Sequence, residues 1–176
     1  MLSSDVEDSE DESSDGDDEG DDCEDDLLDA DELEVVFDKS SMRYYKIPTS
    51  DIVVKFIEGK GLGVFARRKI RRGGFLVYEG FFLRTLQGVK NIQYVMKLPS
   101  VCPTTIRQKF TYINGDPRLN DTTDALGCYC NDDQHSPNAF PTYRPSIGKM
   151  VIIVGVDVTR GTEICFNYGK RYPRTW

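Results

Sequence analysis

The chain has 176 residues, with 30 Asp and Glu against 22 Lys and Arg, for a formal net charge of −8. That length fits one domain plus a tail, and no stretch approaches the roughly 20 apolar residues needed to span a bilayer. Five cysteines at irregular spacing, Cys23, Cys102, Cys128, Cys130 and Cys165, argue against a disulfide framework.

The charge is divided between two regions. Residues 1–34 hold 19 acids and no Lys or Arg, which leaves 11 acids against all 22 basic residues in 35–176, a formal +11. So acidic a segment repels itself and has too little apolar surface to offset the entropy of ordering, so it reads as a disordered acidic tail. Leu27, Leu28, Leu33, Val35, Val36 and Phe37 make its end more apolar and suit a short helix or a docking strand. Its start lacks the basic residues and apolar core of a secretion signal, so an intracellular protein is expected. Residues 35–51 read as a linker.

Ile52–Ile57 is a β-branched run and predicts a strand. Gly59-Lys60-Gly61-Leu62-Gly63 marks a turn where backbone approaches something closely, and Val64-Phe65-Ala66 resumes extended chain. Arg67, Arg68, Lys69, Arg71 and Arg72 form a basic turn before the strand Phe75–Glu79, which Phe81–Leu83 extends. Residues 84–110 are mixed, with a helix expected over 104–110 after Pro103. Tyr112-Ile113-Asn114 reads as a strand entering an Asn-Gly turn at Gly115-Asp116. Residues 116–150 are rich in Asp, Asn, Pro and Gly and read mostly as loop. Lys149–Val156 is the clearest buried strand, and Glu163–Gly169 predicts another. Many short strands without long amphipathic helices indicate a mainly β domain.

Two further constellations have simple structural readings. Cys128-x-Cys130 with His135 lacks the paired knuckles of a structural zinc site, so the cysteines read as buried, His135 as a loop residue, and no metal is expected. The basic turn at 67–72 is the main support for nucleic-acid binding. It reads more simply as a solvated turn, because no aromatic interleaving accompanies it.

Four blocks, in order, carry a resemblance to a known family. Gly61-Leu62-Gly63-Val64-Phe65-Ala66 with Ile70 and Gly73 is similar to the opening block of SET domains. Tyr78-Glu79-Gly80 is similar to their Y-x-G. Gly127 to Asp132, running to Pro137-Asn138-Ala139, resembles their R-F-I-N-H-S-C-x-P-N block. Gly161 to Gly169 resembles their G-E-E-L-x-x-x-Y-G. Asp132 stands where that pattern has histidine, and Cys128 and Cys130 stand for its arginine and isoleucine; a carboxylate at 132 has no obvious partner in the sequence.

The resemblance implies a SET-type β-clip over residues 52–172, with a C-terminal pseudoknot that brings Asn131 and Tyr168 together, and residues 173–176 as an end. It implies S-adenosyl-L-methionine as cofactor and methyl transfer to a lysine side chain of a protein or peptide, histone tails included; the alternative is a degenerate SET fold serving as an interaction module. By resemblance, Tyr168 is the tyrosine nearest the transferring methyl, and Tyr78 lines the lysine channel and influences how many methyl groups are added, or else is an ordinary half-buried strand aromatic. Lys60, Gly61, Leu62 and Gly63 bring backbone to the cofactor's methionine part, Asn131 bonds that part, and Asp132 meets the adenine through its backbone. Tyr112 and Tyr172 are further aromatics that pack or edge the channel, and Tyr172 or Trp176 would close it. The family also suggests the nucleus over the cytoplasm. No membrane partner is expected.

Overall fold

A computed structural model describes residues 42–120 and 123–169. The acidic tail with Cys23, and Tyr172 and Trp176, lie outside these described residues.

Eleven strands, one short α-helix and three single turns of 3-10 helix are seen among them. In chain order the strands are β1 (Tyr45–Lys46), β2 (Ile52–Ile57), β3 (Gly61–Ala66), β4 (Gly74–Tyr78), β5 (Phe81–Leu83), β6 (Val95–Lys97), β7 (Tyr112–Asn114), β8 (Asn131–Asp132), β9 (Ala139–Arg144), β10 (Lys149–Val154) and β11 (Cys165–Phe166). The helix α1 covers Thr104–Arg107. It is shorter than the sequence suggests, because the chain then turns so that Phe110 meets Phe82, with ring centroids 5.6 Å apart.

The central sheet runs β1-β4-β10-β9. Its inner strands explain their own sequence. β4 is buried throughout and β10 from Met150 onward, because both faces are covered, which favours continuous apolar runs over alternation. Phe75, Val77, Val151 and Ile153 face Ala125, Met42 and Phe140 on one side. Leu76, Tyr78, Met150, Ile152 and Val154 enter the larger core on the other. A hairpin of β2 and β3 and a small sheet in the order β5-β7-β6 pack around that core.

Four strands escape the sequence reading, one of them the two-residue β8 in the stretch taken as loop. β9 lies in the stretch taken as loop because Pro141 interrupts it; Pro is tolerated there because β9 is an edge strand, Pro141 standing opposite Ile152. β6 lies in the mixed stretch and is only three residues long. β1 belongs to the segment read as linker, yet it pairs in parallel with β4, and Ile47 beside it is 2% exposed. The strand expected over 163–169 is confined to Cys165–Phe166, with an isolated bridge from Glu163 to Phe65.

That last segment organises the site. Ile164 N–H donates to the Val64 carbonyl at 2.8 Å and Ala66 N–H to the Thr162 carbonyl at 3.0 Å. On its other side, β11 pairs in parallel with β8, Cys165 opposite Asn131 and Phe166 opposite Asp132. Asp133 N–H reaches the Phe166 carbonyl and Asn138 N–H the Cys165 carbonyl. The segment therefore passes between β3 and the loop 131–138, the pseudoknot the resemblance implies and a departure from the usual avoidance of threaded chains.

Candidate active site

The threaded segment presents two differently built surfaces. The first is at Glu163, beside Gly63 and Asn131. Asn131 Nδ2 donates to the Leu62 carbonyl at 3.1 Å and to Glu163 Oε1 at 2.7 Å. Both amide hydrogens are thus engaged, and the carbonyl Oδ1 is what the side chain has left to offer. Gly63 is buried, and a Cβ placed on it would lie 2.6 Å from Glu163 Oε1 and 2.9 Å from Asn131 Nδ2. Only glycine leaves this face open. Lys60 sits near enough to pull the Cys165 thiol downward, but burial first, then the Glu163 carboxylate, drive that thiol well above the ordinary range.

Neighbouring hydrogen bonds hold this surface rigid. Asn138 Nδ2 donates to the Glu163 carbonyl at 2.7 Å, and Asn138 Oδ1 accepts from Cys165 N at 3.0 Å. Asp132 is 5% exposed, and its Oδ1 accepts the Tyr168 N–H at 2.8 Å. The carboxylate that seemed to lack a partner has a backbone donor from the threaded segment, which corrects that expectation.

The second surface is a small cavity of about 20 Å³ lined by Tyr78, Gln93, Val95, Met96, Cys128, Phe166 and Tyr168. It is large enough for one water-sized group. Tyr168 O–H donates to the Cys130 carbonyl at 2.6 Å, and Tyr78 O–H to the Tyr94 carbonyl at 2.5 Å. Each hydroxyl spends its hydrogen on backbone, so each can present lone pairs to a donor in the cavity. The Phe166 and Tyr168 rings lie 4.7 Å apart. No Asp, Glu, Lys, Arg or His lines the cavity, and burial pushes the thiol of its one cysteine, Cys128, up to about 12.

Of the residues singled out from sequence, Tyr78 and Tyr168 share one cavity, and Gly63, Leu62 and Asn131 share the other surface. Gly61 opens β3 at positive φ, +84°. Asp132 takes part through its side chain, bonding Tyr168, alongside its backbone place in β8. Tyr112 is 2% exposed and packs structurally. His135 is exposed in a loop whose backbone Asp133 caps. Cys102, Cys128, Cys130 and Cys165 are free and buried. In the basic turn, Arg68 pairs with Asp51 and Lys69 with Asp157, so part of that charge is already neutralised.

Glu163, Gln93, Val95, Met96 and Cys128 carried no role in the sequence reading. Glu163 stands in the quoted Gly161–Gly169 block, and its acid character beside a glycine-rich strand was the available signal. The others lie on short or irregular segments that gave none.

Comparison with known proteins agrees with this geometry. A family model described as the SET domain matches residues 61–169. N-lysine methyltransferase KMT5A-A of Danio rerio is 27% identical over 125 residues, which is 68% of this chain and 36% of that protein. The chain therefore spans about a third of the length of this curated relative. The crystal structure of CpSET8 from Cryptosporidium matches with a TM-score of 0.50 at 20% identity, covering 69% of this chain and 59% of that one. Arabidopsis thaliana SUVH6 in complex with SAM matches with a TM-score of 0.50 at 16% identity, covering 69% and 27%. At such identities the structural likeness is one of fold, and the family match, with the segment threaded between β3 and the loop 131–138, identifies the chain as a member of the SET domain family.

Proposed function

We propose that the protein transfers a methyl group from S-adenosyl-L-methionine to a lysine side chain of a protein or peptide. The observation that carries this reading is the placement of both surfaces on one short segment: Glu163 lies at the Gly63–Asn131 face, and Phe166 and Tyr168 lie at the small cavity.

The residues present fit the cofactor. Gly63 keeps open a space that a Cβ would fill. Asn131 Oδ1 and the Glu163 carboxylate give that face an acceptor character that suits a cation, and Lys60 stands nearby for an anionic group. Gly61, Leu62 and Gly63 bring backbone to the same face, and Asp132 belongs to this group through β8. When bound, the cofactor supplies a methyl carbon made electrophilic by its sulfonium.

The remaining requirements fall on the chain. A lysine amine reacts only when neutral, and its free pKa is near roughly 10.4. A buried, neutral lining disfavours the ammonium form and lowers that value. The Tyr78 and Tyr168 oxygens, their own hydrogens directed to backbone, accept N–H from the amine and C–H from the methyl; such contacts are weak singly and add when they converge. Holding amine and methyl carbon in line then supplies most of the acceleration.

The substrate side is read from charge. From Gly80 to Gly115 the chain carries Arg84, Lys90, Lys97, Arg107 and Lys109 and no acid, and this stretch supplies Gln93, Val95 and Met96 to the cavity. A lysine in acidic or neutral surroundings suits it better than a basic histone tail, unless the 1–34 segment supplies the attraction. A second reading, peptide binding without transfer, draws on Asp132 in place of the family pattern's histidine.

A methylation assay with labelled cofactor on the full chain tests these readings. Label is expected in lysine substrates with the wild type, and at least about tenfold less with Tyr168→Phe. Saturable cofactor binding without any transfer favours the second reading, and no cofactor binding at all overturns both the donor and the enzyme.

A further inference from the structure

One buried polar cluster lies outside the surfaces just described. Asp116 is 2% exposed, and its carboxylate accepts from Arg118 N and Nε, both at 3.0 Å, Arg118 Nη2 at 2.6 Å, and Asn91 Nδ2 at 3.2 Å. Asn114, 7% exposed, accepts the Asp116 N–H through Oδ1 at 3.0 Å. Asn120 Nδ2 bridges the Asn114 and Asp116 carbonyls at 3.3 and 2.8 Å. A turn does not require a buried, multiply bonded carboxylate, and burying one is costly unless it is well partnered. Its effect is to tie the segment at Asn91 to the segment 114–120.

Those two segments meet at the Tyr94 carbonyl. That oxygen accepts the Gly115 N–H at 2.8 Å and the Tyr78 O–H at 2.5 Å. Gly115 directly precedes Asp116, and Tyr94 follows Asn91 by three residues. Gly115 also bears on the Tyr78 ring, since a Cβ there would lie 2.5 to 2.8 Å from three of its atoms. The acceptor of the Tyr78 hydroxyl and the backbone against its ring are both held by the Asp116 cluster.

We propose that Asp116 is a positioning residue for Tyr78: through Arg118, Asn91 and the Tyr94 carbonyl it fixes the Tyr78 oxygen at the cavity wall and so limits how many methyl groups the lysine amine receives. The inference rests on the lysine-methylation reading. With the Tyr78 oxygen fixed as an acceptor in a cavity of about 20 Å³, an amine that still carries hydrogens satisfies it. A methylated amine has fewer donors and more bulk, leaving the oxygen unsatisfied. Loosening the cluster frees Tyr78 to move aside for the added methyl.

The test uses Asp116→Asn, which keeps the shape and an acceptor, and Arg118→Gln, whose side chain is 65% exposed, so that solvent replaces what is lost. Mass spectrometry of a methylated lysine peptide reads the ratio of di- to monomethyl product. Both variants are expected to raise that ratio about fivefold, as Tyr78→Phe does, and Asp116→Asn/Tyr78→Phe to raise it no further than Tyr78→Phe alone. Cofactor affinity by calorimetry is expected to stay within about twofold, because Asn131 and Gly63 are untouched. An unchanged ratio, or full additivity in the double variant, overturns the proposal. Should the wild type transfer no methyl at all, the methylation reading fails on its own. The link from Asp116 to Tyr78 is then decided by the same double-variant cycle in thermal unfolding, where non-additive shifts support it and strict additivity overturns it.

Discussion

Asp132 and Tyr168 are joined across 36 residues by the Tyr168 N–H, which is donated to Asp132 Oδ1 at 2.8 Å. It fastens the threaded segment to β8 just before the tyrosine whose hydroxyl reaches the Cys130 carbonyl. Asp132→Ala removes a charged acceptor and strands a backbone donor, with an expected cost of about 2 kcal/mol. Asp132→Asn keeps an acceptor and is expected to cost less than about 1 kcal/mol. Urea unfolding of the two variants measures the difference, and equal losses would count against the bond.

Gly63 leaves no room for added volume at the Asn131–Glu163 face. A Cβ would lie 2.6 Å from Ile57 Cδ1 and from Glu163 Oε1. Ile57 can yield by rotation, but Glu163 is held by Asn131 at 2.7 Å. Gly63→Ala is expected to lose about 1–3 kcal/mol of stability and most of its cofactor affinity, read by thermal melt and calorimetry. A variant that binds cofactor as the wild type does would remove this face from the binding site.

Acid sensitivity follows from Asp116. The Arg118 side chain first, with Asn91 and the Arg118 backbone, holds the Asp116 carboxyl down from its usual 3.8 to about 2 despite its burial. A depressed folded-state value contributes stability above the unfolded value, and that stability is lost as pH falls through the folded one. The contribution, on the order of 2 kcal/mol, is therefore expected to be complete above about pH 4 and to disappear toward pH 2. In Asp116→Asn the unfolding free energy is expected to fall less steeply across this window, as acid titration followed by circular dichroism would record.

The thiols give a prediction of opposite sign. Burial raises the values of Cys102, Cys128, Cys130 and Cys165, and a thiol held near 12, as Cys128 is, presents almost no thiolate at pH 8. Alkylation of these four side chains in the native protein is expected to be at least about a hundredfold slower than in denaturant. Peptide mapping after iodoacetamide checks each site, and rapid native labelling of Cys128 or Cys165 would contradict the burial described.

The sequence announces the strands whose chemistry is repetitive. Ile52–Ile57 and Lys149–Val154 are read directly because both are crowded with β-branched residues, although only Lys149–Val154 is buried along most of its length. Ala139–Arg144 is hidden by Pro141, whose missing donor matters only away from a sheet edge, and edge position is a tertiary fact. The same divide runs through the site. Gly63, Asn131 and Tyr168 stand out through a pattern of residue types. The partner of Asp132 is a backbone amide, which no residue type encodes. Asp116 hides behind an Asn-Gly turn signal, since nothing local tells a turn residue from a buried one bonded to Asn91.

The passage of residues 161–168 between β3 and the loop 131–138 also dictates an order of assembly. During synthesis β3 leaves the ribosome about a hundred residues before the stretch that must lie against it, so the seam along Val64 and Cys130 stays uncovered until residues 161–168 have emerged. Nascent chains stalled before Gly161 should therefore engage chaperones. A force applied at the carboxyl end would have to draw the segment back out through its loop before the remainder could unravel.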